Sequence, residues 1–115
     1  MIEVTSTWKS TNVTRLTIMT DGGEGKVQVD FVDNDEYGHT AYIWDLWVKS
    51  EYRRKGIASK LMEYALQRAR DYGYKTATLE WVLDDTPREI AHWYARLGFD
   101  EQEFCNTYAL MVKQL

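Results

Sequence analysis

The stretch AYIWDLWVKSEYRRKGIASKLMEY, residues 41–64, changes its period in the middle. Tyr42 to Val48 is aromatic and β-branched, the composition of a buried strand. Lys49 to Tyr52 is a short polar link. After Arg53-Arg54-Lys55-Gly56, apolar residues fall at Ile57, Leu61, Ala65 and Ala69, and again at Ala58, Met62 and Leu66. These interlocked series define one wide helix face. A strand therefore runs into a basic, glycine-containing turn that opens a helix. The first turn of a helix presents backbone N–H groups without partners at the positive end of the helix dipole. A glycine there lets an anion approach the backbone, and Arg53, Arg54 and Lys55 add side-chain charge. The turn reads as a phosphate site.

The motif is neither G-x-x-x-x-G-K-[ST] nor G-x-G-x-x-G, which turns the reading away from nucleoside triphosphates and dinucleotides. It fits Q/R-x-x-G-x-G/A as Arg53-x-x-Gly56-x-Ala58, and Tyr94-x-x-x-Gly98-Phe99 closes a second, shorter helix. Between the helices lies a strand-like run, Lys75 to Val82. With these features the chain resembles the GNAT superfamily of acetyl-coenzyme A-dependent N-acetyltransferases, from about Tyr42 to the C-terminus. The resemblance implies the α/β GNAT (acyl-CoA N-acyltransferase) fold, a mixed and mostly antiparallel sheet with two helices. It implies acetyl-CoA as co-substrate, held by the backbone of Leu46, Trp47 and Val48 and by the turn Arg53, Arg54, Lys55, Gly56, Ile57, Ala58 and Ser59. It also implies Tyr94 as the general acid that protonates the departing thiolate.

At 115 residues the chain has the length of one domain, residues 1–115, with a single core. Its aromatic content of 14%, including five Trp, is high for that size, and core packing is the expected place for most of those rings. There is no apolar run of membrane-spanning length and no visible signal peptide. The lone Cys105 reads as a small buried side chain and suits a reducing cytoplasm. A net charge of −4 argues against a general nucleic-acid surface, so the basic turn suits one small polyanion. Cys, His and acidic residues have no metal-site spacing, and none is expected.

Ahead of the central stretch the pattern is strand throughout: Glu3 to Trp8, Val13 to Met19, Val27 to Val32 and Thr40 to Val48, an antiparallel meander. GNAT members usually carry one or two helices between the first two strands, walling the acceptor site. None is legible here, so the acceptor side is expected to be open or completed by a second copy in a homodimer. The long helix is expected from Gly56 to Tyr72, stopped by Gly73. Thr86-Pro87-Arg88-Glu89 reads as a capping box. Pro87 stands where many members have a cofactor-contacting asparagine, so that contact is not carried over. From Phe99 the tail reads as less regular until a last strand, Thr107 to Lys113.

Acetyl transfer to a primary amine also requires a base. Asp45 and Glu80 are the candidates, each on a strand between apolar neighbours where burial could raise a carboxyl pKa. Alternation decides which face each occupies, and a bulge near Leu46 would reverse the answer. His92 and His39 are weaker candidates; His92 is two residues from Tyr94, on another helix face, and reads as surface. The strand ending at Val48 is expected to splay from that of Leu79 and Trp81 and admit the amide-rich cofactor arm. The acceptor would be a small-molecule amine or a protein lysine. The alternative is a catalytically silent GNAT-like domain that binds CoA or a protein partner.

Overall fold

The computed structural model describes residues 2–34, 38–82, 88–104 and 108–115. Four strands come first: β1 (Ile2–Lys9), β2 (Val13–Thr20), β3 (Gly25–Asn34) and β4 (Gly38–Val48). A short 3-10 turn at Ser50–Tyr52 leads to α1 (Ile57–Asp71). Then follow β5 (Thr76–Val82), α2 (Arg88–Arg96), β6 (Asp100–Phe104) and β7 (Tyr108–Gln114). The seven strands form one sheet in the order β1-β2-β3-β4-β5-β7-β6, antiparallel except for β4 beside β5. The N-terminal meander and both helices stand where the sequence puts them. One element departs from the reading: β6 forms within the tail that reads as less regular. Its sequence, DEQEF, is mostly charged because it is an edge strand, and charge on an edge deters pairing with further chains. Hydrophobic alternation is therefore absent where a strand nonetheless exists.

Strand alternation sorts the sheet into two unlike faces. Leu16, Ile18, Val27, Val29, Phe31, Ala41, Ile43, Ala77, Leu79 and Met111 are buried on one of them. Leu61, Met62, Ala65, Leu66 and Ala69 of α1 and Ala91 of α2 join the same core, so both helices cover that face. At the C-terminus of α1, Gly73 N–H donates to the Arg70 carbonyl and Tyr74 N–H to that of Ala69, ending the helix as expected. Register places Trp8, Arg15, Asp30 and Tyr42 in one cross-strand row on the opposite face. There the Arg15 guanidinium pairs bidentately with Asp30, at 2.7 and 2.9 Å. It also stacks on Trp44 and Trp8, at 4.8 and 5.4 Å from the ring centroids. Among the described residues no helix lies over this face.

The tryptophans correct the sequence reading. None of those with described side chains is in the buried core; Trp8 and Trp47 are 53% and 43% exposed. A 15-residue helix built on Leu, Met and Ala fills the core instead, and the large rings go to surfaces and grooves. Cys105, Thr86, Pro87 and the side chains of Trp81, Arg88 and Glu89 lie outside the described residues, so the capping box and the cysteine reading do too. Among the described residues no helix is long and apolar enough to cross a membrane.

Candidate active site

The site originates in a defect of the sheet. β4 and β5 share only two rungs, Ala41 with Ala77 and Tyr42 with Thr78. Beyond them the parallel strands part, as the sequence reading expects, and among the described residues the remainder of β4 has no strand partner on that side. Within this segment the β3–β4 register shifts: Trp44 faces Gln28 and Trp47 faces Lys26. Asp45 and Leu46 together oppose Val27, which is a β-bulge, and Asp45 takes a left-handed φ of 54°. The bulge reverses the alternation at the point anticipated. Without it Trp47 would fall on the helix side; with it Leu46 packs on the core and Val48 is buried.

Among the described residues two cavities lie along the parting. A groove of about 400 Å3 is lined by Leu46, Trp47, Val48, Arg53, Ala58, Ile90, Trp93 and Tyr94. A second cavity, about 280 Å3, is lined by Tyr42, Ile43, Trp44, Asp45, Leu46, Met62, Leu79, Glu80 and Tyr94. Leu46 and Tyr94 belong to both, so these two residues stand where one space meets the other.

At the mouth of the groove is the basic turn. Arg54 and Gly56 both adopt left-handed φ, 64° and 80°. That conformation is nearly free for glycine and costly for a residue with a Cβ, so backbone geometry by itself favours glycine at position 56. Gly56 is the N-cap of α1 and offers no side-chain acceptor to the first turn, which holds no acid. Arg53 Nε donates to the Val48 carbonyl at 3.1 Å, tying the turn to the end of β4 and setting its guanidinium in the groove wall. Lys55 lies over the Tyr52 ring at 5.6 Å. Ile57 packs on the core, and Ser59 is half-buried within the first turn of α1. Buried Gly25 seats this turn. A Cβ there would stand 2.9 Å from Leu61 Cδ1 and 3.1 Å from the Trp47 carbonyl, so its absence lets α1 press onto the bulged strand.

Tyr94 is placed by the end of α2. Gly98 N–H donates to the Ala95 carbonyl and Phe99 N–H to that of Tyr94, with Gly98 at φ 99°. This is a Schellman cap, and the edge of buried Phe99 meets the Tyr94 ring at 6.2 Å. The spacing Y-x-x-x-G-F is thus a helix stop that fixes the tyrosine ring, and among the described residues its hydroxyl has no hydrogen-bond partner. Burial pushes the phenol pKa up, so Tyr94 is protonated at neutral pH.

The two carboxylates differ. Asp45 Oδ2 accepts from Lys26 Nζ at 2.8 Å and from Gln28 Nε2 at 2.9 Å. The Lys26 hydrogen bond holds its carboxyl below the usual range, with burial opposing and Gln28 assisting. Burial raises the Asp45 carboxyl but is outweighed by Lys26, so the net shift is downward, contrary to the sequence expectation. Glu80 is exposed, on the same sheet face as Tyr42, and pairs with no cation among the described residues. His92 is exposed on α2 and lines neither cavity, as expected. Sequence reasoning missed Tyr42, Met62 and Ile90, because their convergence depends on where β4 and β5 separate.

With that geometry in view, comparison identifies the family. Residues 25–99 match the model of the acetyltransferase (GNAT) family, and the chain belongs to it. An uncharacterised N-acetyltransferase of Methanocaldococcus jannaschii is 30% identical over 86 residues. That match covers 75% of this chain but 37% of the relative, so the chain spans little more than a third of its length. Among solved structures, PaiA N-acetyltransferase of Thermoplasma acidophilum in complex with coenzyme A superposes with a TM-score of 0.72 at 19% identity, over 90% of this chain and 62% of that one. The NatC complex bound to Gag peptide and CoA gives 0.72 at 19%, covering 88% and 70%. A GNAT acetyltransferase of Elizabethkingia anophelis with acetyl-CoA bound gives 0.71 at 14%, covering 91% and 78%. These likenesses show a shared fold, which in this chain is a seven-stranded, mostly antiparallel sheet with two helices among the described residues.

Proposed function

We propose that residues 1–115 act as one N-acetyltransferase domain that moves an acetyl group from acetyl-CoA to a primary amine by direct attack. The observation that carries this reading is the parting of β4 from β5, with a basic helix-opening turn at one end and Tyr94 at its centre. The unpartnered edge of β4 suits the amide-rich arm of the cofactor, which pairs as an added strand would. The turn from Arg53 to Ser59 offers backbone N–H groups and side-chain cations to the pyrophosphate. The structural neighbours that hold CoA or acetyl-CoA support the same choice of co-substrate.

The second cavity takes the acceptor. Glu80 removes a proton from the ammonium group, and the freed nitrogen lone pair attacks the thioester carbonyl. A backbone N–H at residues 46–48 polarises that carbonyl. The C–N bond forms and the C–S bond breaks; Tyr94 gives its phenolic proton to the sulfur. The second proton lost from nitrogen restores Tyr94 through solvent. Glu80 is preferred to Asp45 because Lys26 and Gln28 already occupy the Asp45 carboxylate.

A peptide or protein amine is the acceptor class we favour, since the cavity opens on a sheet face that no helix among the described residues covers. The NatC neighbour bound to a peptide is in keeping with that choice. Pairing of two copies across the open face is the association we expect, and light scattering checks it. The functional test follows thiol release from acetyl-CoA with short peptides bearing a free N-terminus, lysine peptides and polyamines, beside calorimetric titration of acetyl-CoA. Binding with amine-dependent thiol release is expected. Binding without release across the panel favours the silent CoA-binding domain; absence of binding overturns the cofactor assignment.

A further inference from the structure

We propose that Tyr42 is a positioning residue that donates a hydrogen bond to the Glu80 carboxylate and thereby aims the base into the amine cavity. The inference rests on the acyl-transfer reading above. Tyr42 stands opposite Thr78 on the last rung that β4 and β5 share. Paired residues share a sheet face, and Glu80, two residues beyond Thr78, returns to it. As the strands diverge after this rung, Tyr42 is the last β4 side chain held by pairing beside β5. Tyr42, Glu80 and Tyr94 all line the second cavity.

The surroundings leave Glu80 dependent on that donor. On β4, Asp45 is engaged by Lys26 and Gln28. On β3, Asp30 is engaged by Arg15. From α2 comes the phenol of Tyr94, and on β7 the residue opposite Glu80 is Leu110, which carries no charge. The Tyr42 phenol is pushed up to about 12, by burial first, then by the charge of Glu80 and the hydrogen bond to it, with a smaller contribution from Asp30. Tyr42 therefore stays protonated throughout the neutral range, where it serves as a donor and not as a base.

Two measurements test this. The first needs no acceptor: the phenolate absorbance of Tyr42 is isolated as the difference between each protein and its Tyr42→Phe counterpart. Glu80→Gln should let that phenol ionise at a pH lower by roughly half a unit to one unit. An unmoved titration overturns the hydrogen bond. The second uses an acceptor that the wild type acetylates. Tyr42→Phe should lower kcat/KM roughly tenfold and move the acid limb of the rate profile to higher pH, with KM for acetyl-CoA and Tm unchanged. The double variant Tyr42→Phe/Glu80→Gln should be no slower than Glu80→Gln alone. A slowed Tyr42→Phe with lowered Tm and an unmoved limb makes the tyrosine merely structural and overturns the proposal. A Glu80→Gln enzyme with wild-type rate and limb removes the base assignment, and the positioning role falls with it. If Glu80→Gln loses the limb while Tyr42→Phe leaves it in place, only the positioning role fails.

Discussion

The two faces of the sheet obey different chemistry. The covered face is apolar from Leu16 to Met111 and takes α1 and α2 with no charged side chain among its described buried residues. The open face is a mosaic of cross-strand polar and aromatic groups, with Arg15 held between Trp8 and Trp44 and bound to Asp30. Stability comes mainly from the first, since buried apolar area contributes in proportion and exposed ion pairs contribute little. The candidate chemistry belongs to neither face alone. Tyr94 reaches the parting of β4 and β5 from the covered side, while Tyr42 and Glu80 reach it from the open side. A gap between two parallel strands is where groups from both faces of a sheet can meet.

The sharpest separation of chemistry from stability is expected at Tyr94. Tyr94→Phe keeps the ring against Phe99 and the Schellman cap, so unfolding should be unchanged. Turnover should fall by roughly 10²–10⁴-fold through loss of the proton donor, with acetyl-CoA affinity retained. Equal thiol release by variant and wild type would make Tyr94 a packing residue. The converse is Leu61→Ala, deep in the covered face. It should cost about 2–5 kcal/mol in denaturant unfolding, because a fully buried leucine leaves a cavity behind. Smaller again is Arg53→Glu, which replaces a groove cation and removes the bond to Val48. Calorimetry should report acetyl-CoA affinity weakened roughly ten- to a hundredfold. Unchanged affinity would detach the turn from the pyrophosphate.

Legibility followed the same division. The covered face was readable because burial imposes period: the α1 stripe and the alternation of β2 and β3 name core residues correctly. The turn at Arg53 to Ala58 and the Tyr94 to Phe99 cap were readable because backbone conformation restricts which residues can stand there. The site's second half was not. Nothing local marks Tyr42 as the last paired residue of β4, since the parting is a relation between strands more than 30 residues apart. Lys26 and Asp45 belong to different strands and meet only through the bulged register. β6 lacks alternation because its edge position favours charge. The tryptophans misled for a related reason: their area suits a core, yet Trp44, Trp47 and Trp93 border the grooves and Trp8 is exposed.

The smallest effect expected is at Asp45, and it separates the two carboxylates that the sequence left open. Its carboxyl is held below its unfolded value, chiefly by Lys26, so folding favours the ionised form. The contribution is therefore fully present above the unfolded carboxylate pKa, near about 3.9, and is lost as pH falls through the lower folded value. Lys26 and Asp45 side chains are 32% and 37% exposed, and solvent screening keeps the pair's worth to at most ~1 kcal/mol. Asp45→Asn should accordingly lower stability slightly at pH 7, and the gap between variant and wild type should close as the solution is acidified below about pH 4. Leu61→Ala should show no such convergence, because a cavity does not titrate. Urea unfolding of all three proteins at neutral and acid pH makes the comparison. The rate completes it: a carboxylate already engaged by Lys26 and Gln28 is a poor proton acceptor, so Asp45→Asn should retain most of the activity that Glu80→Gln loses. Loss of turnover in Asp45→Asn, with stability barely changed, would transfer the base from β5 to the bulge of β4.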